Sequence, residues 1–314
     1  MNERKTTLRD PGHYRYLPYR NRPKIVWPGG KQLAFWVAPN IEHYELEPPV
    51  ATRSPWPRPY PDVLNYSHRQ HGNRVGFHRM ADVMAKYQVR GSVSLNVALC
   101  DHFPEIIERC NKLGWELFSH GIYNTRYMYA MSDDEQREVV RDVRDTILKY
   151  SGQRLDGWLS PAISNIESTQ QILAEEGILY TLDFQHDDQP TPFNVRKGRL
   201  VSIPYSVEVN DVPLYLQRNM SPDDYAETLI AQFDQLYAEG AVSGTVMCMP
   251  LHPFLTGQPH RIAAFERVLA HVSAHEGVWK ATGREIAQYF IDNYYDAFLA
   301  FEDKVNAGNL ETVA

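Results

Sequence analysis

Short apolar segments alternate with helical segments along most of the chain, and this alternation constrains the fold more than any other feature of the sequence. Buried strands are predicted at residues 33–38, 91–96, 115–118, 155–158, 179–182, 203–205 and 244–249. Helical spacing is present at residues 75–87, 103–113, 132–150, 168–176, 221–239, 260–275 and 283–304. Because strand and helix alternate without a break in composition, we predict one α/β domain built on a parallel sheet.

The two ends of the chain depart from this pattern. Residues 1–22 are polar and rich in Arg, Tyr and Pro, and the segment 1–31 ends in a Pro-Gly-Gly turn. We therefore predict an N-terminal arm at 1–31, a single domain at 32–305 and a short tail at 306–314. The arm can bury little surface on itself, which favours contact with a second subunit in a homo-oligomer, either a dimer or a tetramer.

The expected location is the cytoplasm. The first residues lack the apolar core of a signal peptide, and no apolar run approaches the roughly 20 residues that a membrane span needs. Cys100, Cys110 and Cys248 are irregularly spaced and form neither a disulfide framework nor a C-x-x-C element. Such cysteines are typical of a reducing compartment, and no membrane partner is expected.

Charge and missing motifs exclude several function classes. The formal net charge is -7 and no Lys or Arg run forms a basic patch, so nucleic acid is not an expected partner. The sequence contains no G-x-S-x-G, no G-x-G-x-x-G, no phosphate-binding loop pattern and no HExxH. A serine hydrolase of the α/β type, a nucleotide-binding protein and a zincin protease are therefore disfavoured, and a small-molecule substrate is expected.

Residues 46–73 are predicted as a long loop. The segment contains repeated prolines, several aromatic residues and the two histidines His68 and His71. Long loops inside a domain are usually functional or disordered, and the aromatic content argues against simple disorder. We interpret this loop as a cover over a site or as an oligomer contact.

Polar side chains follow the predicted strands at the points where the strands end. The residues in these positions are Glu42, His43, His120, Trp158, Ser160, Asp187 within 183–190, and His252. Since the carboxyl ends of parallel strands meet at one edge, these side chains should converge on one site. Each also has a structural alternative: a salt-bridged carboxylate for Glu42, a hydrogen-bonded structural imidazole for His120 and for His252, and a solvated turn for 183–190.

At these positions the sequence resembles the polysaccharide-deacetylase (NodB-like) superfamily, most closely the branch of cofactor-independent allantoinases and cyclic-imide hydrolases. The resemblance runs from about Val26 to Phe290. It rests on the segments 40–42, 71–79, 119–121, 157–158, 187–190, 251–253 and 257–261. It implies an α/β fold of the distorted (β/α) barrel type and a hydrolase acting on carbon–nitrogen bonds other than peptide bonds.

The resemblance also implies residue roles. Deacetylases of this superfamily have two adjacent Asp residues after the first strand, one the base and one a metal ligand, and Glu42 and His43 hold these positions. Two His residues four apart correspond to His120 and Asn124. The remaining two motif positions, an Arg and a Leu-His pair, correspond to Leu159 and to Leu251 with His252.

A metal site of His43, His120 and Asn124 is thus implied, holding Zn²⁺ or another divalent metal. Two imidazoles and one amide oxygen fall short of the three strong protein ligands usual at catalytic zinc. Metal-independent catalysis therefore stays open alongside the metal site.

The expected reaction is hydrolytic opening of a small cyclic amide, imide or ureide. Glu42 deprotonates a free or metal-bound water, His252 protonates the leaving nitrogen, and His120, a metal or a backbone N–H stabilises the oxyanion. The expected substrate contacts are Arg74, Trp158, Ser160 and Asp187. Two alternatives remain: N-deacetylation of an acetylated sugar or other small amide, and a non-catalytic binding protein on the same fold.

Overall fold

A single curled sheet forms the centre of the molecule. The structure is a computed structural model that describes residues 12–49 and 59–306. Its strands are β1 (Leu33–Ile41), β2 (Ser92–Leu95), β3 (Glu116–Ser119), β4 (Gly157–Trp158), β5 (Tyr180–Thr181), β6 (Thr191–Pro192), β7 (Val201–Ser202), β8 (Thr245–Leu251) and β9 (Val278–Lys280). The strand order is β6-β7-β5-β4-β3-β2-β1-β8, with β9 beside the start of β1.

The strand pairs are parallel except for β6 with β7. Beyond β8 the sheet curls back towards the segment that follows β5, and Val246 N donates to the carbonyl of Asp188 at 2.9 Å. The result is a half-barrel of parallel strands, which confirms the predicted α/β fold of the distorted (β/α) barrel type.

Helices cover the outside of the sheet. They are α1 (Val63–His71), α2 (Phe77–Lys86), α3 (Leu99–His102), α4 (Pro104–Lys112), α5 (Asp133–Ser151), α6 (Thr169–Glu175), α7 (Pro222–Gly240), α8 (Ile262–Ser273), α9 (Gly283–Asn293) and α10 (Tyr295–Asn306). In the described part of the chain, no helix is long and apolar enough to cross a bilayer.

The predicted loop at 46–73 is partly wrong, because its last third is helical. Asp62 caps the N-terminus of α1 by accepting a hydrogen bond from Asn65 N at 3.1 Å. Pro and aromatic content dominated the sequence pattern and hid this short capped helix. Residues 50–58 of the predicted loop lie outside the described residues. The helix predicted at 283–304 is likewise two helices, since Tyr294 between α9 and α10 is not helical.

Side chains along β1 point alternately to the two faces of the sheet, and the core is accordingly divided into two layers. All nine positions of β1 are buried, with Leu33, Phe35 and Val37 packing in the cluster under the helices. Ala34, Trp36 and Ala38 pack with Phe118 and Tyr180 in a second cluster inside the barrel. Because side chains fill the barrel interior, the place left for chemistry is the rim formed by the carboxyl ends of the strands.

A glycine pair brings α1 and α2 against the loop that follows β8. Between these helices the chain forms one π-helical turn, Gly72–Gly76. A Cβ on Gly76 would lie 2.0 Å from the carbonyl oxygen of Pro253, and one on Gly72 would lie 2.6 Å from Phe254 N. Only glycine permits this approach, and it fixes the loop that carries His252.

Replacing Gly76 by Ala is expected to destabilise the protein by about 1–3 kcal/mol, because the added methyl overpacks a backbone contact. The same change should displace the loop after β8 and lower any activity that depends on His252. Chemical denaturation of G76A measures the loss, with V75A on the same turn as control, since Val75 is exposed. Equal stability of G76A and the parent protein would show that this contact is not tight.

Candidate active site

Three strand ends and one helix bring ionisable groups to the same point of the rim. Glu42 follows β1, His120 follows β3, His252 follows β8, and Arg69 reaches in from α1. Glu42 lies at the centre: one carboxylate oxygen, Oε1, is 3.3 Å from His252 Nε2 and 3.8 Å from His120 Nε2. The structure therefore brings together the predicted base, the predicted acid and one predicted metal ligand.

Glu42 is buried and charged. Only 5% of the residue is exposed. Burial by itself favours the neutral acid, but the charges of Arg69 and His252 and the hydrogen bond from His252 outweigh burial. They hold the pKa of Glu42 well below its ordinary value of 4.5, so Glu42 is a carboxylate at neutral pH and can accept a proton.

His252 is held from behind by a carboxylate that the sequence did not reveal. Asp211 Oδ1 accepts from His252 Nδ1 at 2.6 Å, and Asp211 Oδ2 accepts from His252 N and from Thr256 Oγ1, both at 2.7 Å. Asp211 is fully buried. No motif marks this residue in the sequence, because it lies in the segment before α7, 41 positions from its partner.

The two carboxylates make His252 a cation at neutral pH. Burial lowers the pKa of this imidazole, but Asp211 and Glu42 on its two sides raise it further, to about 9. With Nδ1–H bonded to Asp211, Nε2–H faces Glu42 and the open side of the site. This is the geometry of a general acid with a fixed ring orientation.

Arg69 is a second residue of the site that the sequence did not predict. Its Nε donates to Glu42 Oε2 at 2.9 Å, and its Nη1 donates to Asn65 Oδ1 at 2.7 Å. The guanidinium is clamped between the rings of Tyr44 and Phe254, at 4.1 and 3.9 Å from their centroids. Where the superfamily has an Arg beside its carboxylate base, Leu159 stands here, and Arg69 supplies a guanidinium to the carboxylate from a different element.

His120 has a defined tautomer. Its Nδ1 lies 3.1 Å from the carbonyl oxygen of Leu159, which can only accept, so Nδ1 carries a proton. Its Nε2 therefore faces Glu42 either as a lone pair or, in the protonated ring, as a donor. In the neutral ring this lone pair can orient a water molecule against Glu42.

Ser160 and Trp158 form a layer behind His120. Ser160 Oγ donates to Asp183 Oδ2 at 2.8 Å and accepts from Trp158 Nε1 at 3.1 Å. Burial raises the pKa of Asp183 to about 6, although hydrogen bonds from Ser160 and the charge of His120 oppose the shift. Trp158 is completely buried, so the structure does not offer its ring to a substrate as predicted. Although Trp158 is at a strand end, its ring packs in the core, because both residues of β4 are buried.

Asp187, predicted to contact substrate, does not reach the rim. Its carboxylate accepts from Arg22 Nη1 at 2.7 Å, and its neighbour Asp188 pairs with Val246 near the start of β8. The segment after β5 runs back along the barrel to meet β8 and the N-terminal residues, which carries Asp187 away from the strand ends.

His43 lines a cavity beside the Glu42 centre. The cavity has a volume of about 430 Å³ and is also lined by Arg74, Tyr66, His102 and Tyr123. Burial, with the nearby His102, lowers the pKa of His43 to about 4, so its ring is neutral at neutral pH. Arg74 is exposed and its Nε donates to Gln70 Oε1 at 3.1 Å, a position compatible with the predicted contact to substrate.

The predicted ligands do not form a complete catalytic metal site. Buried atoms without a hydrogen-bond partner, His43 Nδ1 and Asn124 Oδ1, are the kind of donor a ligand would satisfy. His120 Nε2, however, is directed at Glu42. Among the described residues, the group of three His, Cys, Asp or Glu donors close enough for one ion lies at α7 and the C-terminal end of α8, and not here. A set of two imidazoles and one amide does not match catalytic zinc.

Taken together, the rim holds a carboxylate that accepts protons and an imidazolium that donates them, side by side at the carboxyl ends of a parallel half-barrel. These two groups are what a hydrolase needs for general acid–base catalysis.

Comparisons with known proteins agree with this class. A family model described as polysaccharide deacetylase matches residues 71–181. A peptidoglycan deacetylase of Helicobacter pylori is 25% identical over 252 residues, covering 69% of this chain and 84% of the relative. A Pseudomonas aeruginosa PAO1 structure described as a "probable Polysaccharide deacetylase" has a TM-score of 0.77 at 25% identity, covering 88% of this chain and 96% of that chain.

An allantoinase structure, PuuE, has the same fold, with a TM-score of 0.77 at 24% identity over 88% of this chain and 95% of that chain. Residues 71–181 therefore match the polysaccharide deacetylase family, and the fold is similar to solved structures that include an allantoinase and polysaccharide deacetylases. The family is hydrolytic, and its deacetylases generally use a divalent metal.

Proposed function

We propose that this protein hydrolyses a carbon–nitrogen bond in a small cyclic amide, imide or ureide. The observation that carries the proposal is the buried set of Asp211, His252 and Glu42, in which base and acid are both in their reactive protonation states at neutral pH. The alternative of a non-catalytic binding protein gives no reason for a proton acceptor and a proton donor to lie side by side in a buried site.

The reaction follows from the positions of the protons. Glu42 takes a proton from a water whose oxygen forms a bond to the ring carbonyl carbon, and His120 Nε2 orients that water. His252 Nε2–H then donates its proton to the ring nitrogen as the C–N bond breaks. The proton held by Glu42 returns to His252 across the 3.3 Å between Oε1 and Nε2, which restores the starting state.

Enclosure supports a small substrate. The side chains of Glu42, His120 and His252 are each 6–7% exposed, and that of Arg69 is 10% exposed. A long polymer must lie across an open groove, whereas a small ring can enter a pocket and have its water stripped away. The cavity lined by His43 and Arg74 gives room for a polar substituent on the ring.

A second candidate function is N-deacetylation of an acetylated sugar or other small amide. It is supported by the family match and by the similarity to a peptidoglycan deacetylase. The same base and acid serve both reactions, because each begins with attack of water on an amide carbonyl and ends with protonation of nitrogen.

A substrate panel separates the two. Hydrolysis of allantoin, hydantoin, succinimide and glutarimide is compared with release of acetate from N-acetylglucosamine oligomers, with and without chelator. Opening of any ring without acetate release supports the proposal, and acetate release alone replaces it with the second candidate. The small-molecule partner, the cytoplasmic location and the homo-oligomer stay predictions.

Replacing Asp211 by Asn is expected to move the basic limb of the pH–rate profile downwards. The negative charges of Asp211 and Glu42 together raise the pKa of His252 to about 9, and the acid is active only while protonated. Without the charge of Asp211, burial lowers the pKa of His252 from that value, although Glu42 still raises it, so activity is lost at lower pH. Near pH 6 the variant should stay within about tenfold of the parent enzyme.

The measurement is kcat/KM from pH 5 to 10 for D211N and for D223N, whose exposed carboxylate pairs with Arg267 outside the site. A basic limb that stays near pH 9 in D211N would show that His252 is not the acid.

A further inference from the structure

A cluster of three potential metal ligands lies at the opposite end of the sheet from Glu42. His271 is in the last turn of α8, His275 lies two residues after the helix ends, and Asp234 faces them from α7. The chain continues from His275 through Gly277, whose carbonyl oxygen accepts from Leu33 N at the start of β1. The cluster is therefore at the amino ends of the strands, a strand length away from the catalytic rim.

We propose that Asp234, His271 and His275 form a surface site for Zn²⁺ or a similar divalent transition metal that joins α7 to α8. One ligand atom from each residue lies within 4.8 Å of the other two. Bonds of about 2.0–2.2 Å to imidazole nitrogen and carboxylate oxygen allow ligand atoms such a separation around one ion after small side-chain rotations.

The turn that ends α8 brings both imidazoles together. His271 and His275 are four residues apart, and their ring centroids are 4.9 Å apart. Asp234 Oδ1 lies 2.6 Å from His271 Nε2, so a carboxylate oxygen already lies beside the nitrogen that would bind the ion. A bound ion would take the place of the proton shared by this pair.

One imidazole already has the hydrogen bond that metal-binding histidines usually have. His275 Nδ1 lies 2.9 Å from the carbonyl oxygen of His271, which fixes the proton on Nδ1 and leaves the Nε2 lone pair for a ligand bond. A hydrogen bond of this kind to a backbone carbonyl orients the imidazole ring in many metal-binding proteins.

Aromatic rings hold the two imidazoles in place. Phe233 packs edge-on against His271 at 5.5 Å and against His275 at 4.9 Å, and Tyr237 packs against His275 at 4.9 Å. Tyr237 is itself held, since its hydroxyl accepts from Gly277 N at 3.2 Å. The rings are thus pre-positioned, while about half of the Asp234 side chain is exposed and leaves a coordination position open to water.

Two imidazoles and one carboxylate are the donor set of zinc and its neighbours in the transition series, not of Mg²⁺ or Ca²⁺. The inference does not depend on the proposed catalytic function. A measured content of one zinc per chain would therefore not show that zinc is bound at the catalytic rim, because this cluster can bind it.

The test is calorimetric titration of tag-free, chelator-treated protein with Zn²⁺ and, separately, with Mg²⁺. The parent protein should bind one Zn²⁺ at this cluster and no Mg²⁺, and Zn²⁺ should raise the melting temperature. The double variant H271A/H275A should weaken this binding by roughly a hundredfold or more and lose the thermal shift. D234N, which keeps the side-chain shape, should weaken it less.

Two controls decide the location of the ion. H260A removes an exposed histidine outside the cluster and should leave the titration unchanged, while H120A removes a rim imidazole and should also leave it unchanged. Zinc binding that survives in H271A/H275A, or that is lost in H120A, would overturn the proposal. Circular dichroism of each variant confirms that the fold is kept.

Discussion

Replacing Glu42 by Gln is expected to lower kcat by about a thousandfold, the size of effect typical when a general base is removed. The amide has nearly the same shape as the carboxylate but cannot accept a proton from water. It also removes the charge that pairs with Arg69 and His252, at 2.9 and 3.3 Å. KM should change little, because a group that acts on water contributes mainly in the transition state.

Steady-state kinetics on the ring or amide that the parent protein hydrolyses provide the measurement. E108Q is the matched control, since Glu108 is exposed on α4 and outside the site. Because the neutral amide leaves a buried Arg69 without its anion, the melting temperature of E42Q is measured alongside. A well-folded E42Q with full activity would rule out the proposed chemistry.

Replacing Arg69 by Met is expected to lower kcat by about a hundredfold and to move the acid limb of the pH–rate profile upwards. Burial favours the neutral form of Glu42, and Arg69 is the first of the opposing charges that keep its pKa well below 4.5. Without Arg69 the carboxylate titrates at higher pH, so activity that depends on the ionised form is lost earlier on acidification. Loss of the fixed Nε contact also lets the carboxylate turn away from water.

R69K separates charge from geometry. Lys restores a positive charge but not the planar fork that bonds Glu42 and Asn65 together, so we expect the acid limb to return towards its original pH while kcat recovers only in part. R90M serves as control, since Arg90 is exposed and pairs with Glu285 outside the site. An R69M protein with an unchanged acid limb would show that Arg69 only packs between Tyr44 and Phe254.

The positions of Glu42, His120 and His252 follow from the sequence because each comes directly after an apolar strand. Parallel strands align their carboxyl ends, so a strand end in the sequence becomes a place on the rim in the structure. His43 and Arg74 likewise reach a common cavity beside this rim. Trp158 and Asp187 do not follow the rule, since local sequence does not show which side of a strand end is covered or where the next segment turns back.

Asp211 and Arg69 show the limit of this reasoning. Neither follows a strand, and neither stands in a recognisable motif. Each reaches its partner across a gap in sequence, 41 residues for Asp211 with His252 and 27 residues for Arg69 with Glu42. Such pairings depend on how helices and loops pack on the barrel. The spacing of residues along the chain does not predict that packing.

The sequence by itself determined the parallel α/β architecture and the central carboxylate and imidazoles, because hydrophobic periodicity and strand ends are local properties of a chain. Only the tertiary structure decided how these groups are charged. The pKa of Glu42 and that of His252 depend on burial and on charges from distant segments. Electrostatic interaction acts through space, and only the folded chain brings Arg69 and Asp211 to the two groups that they tune.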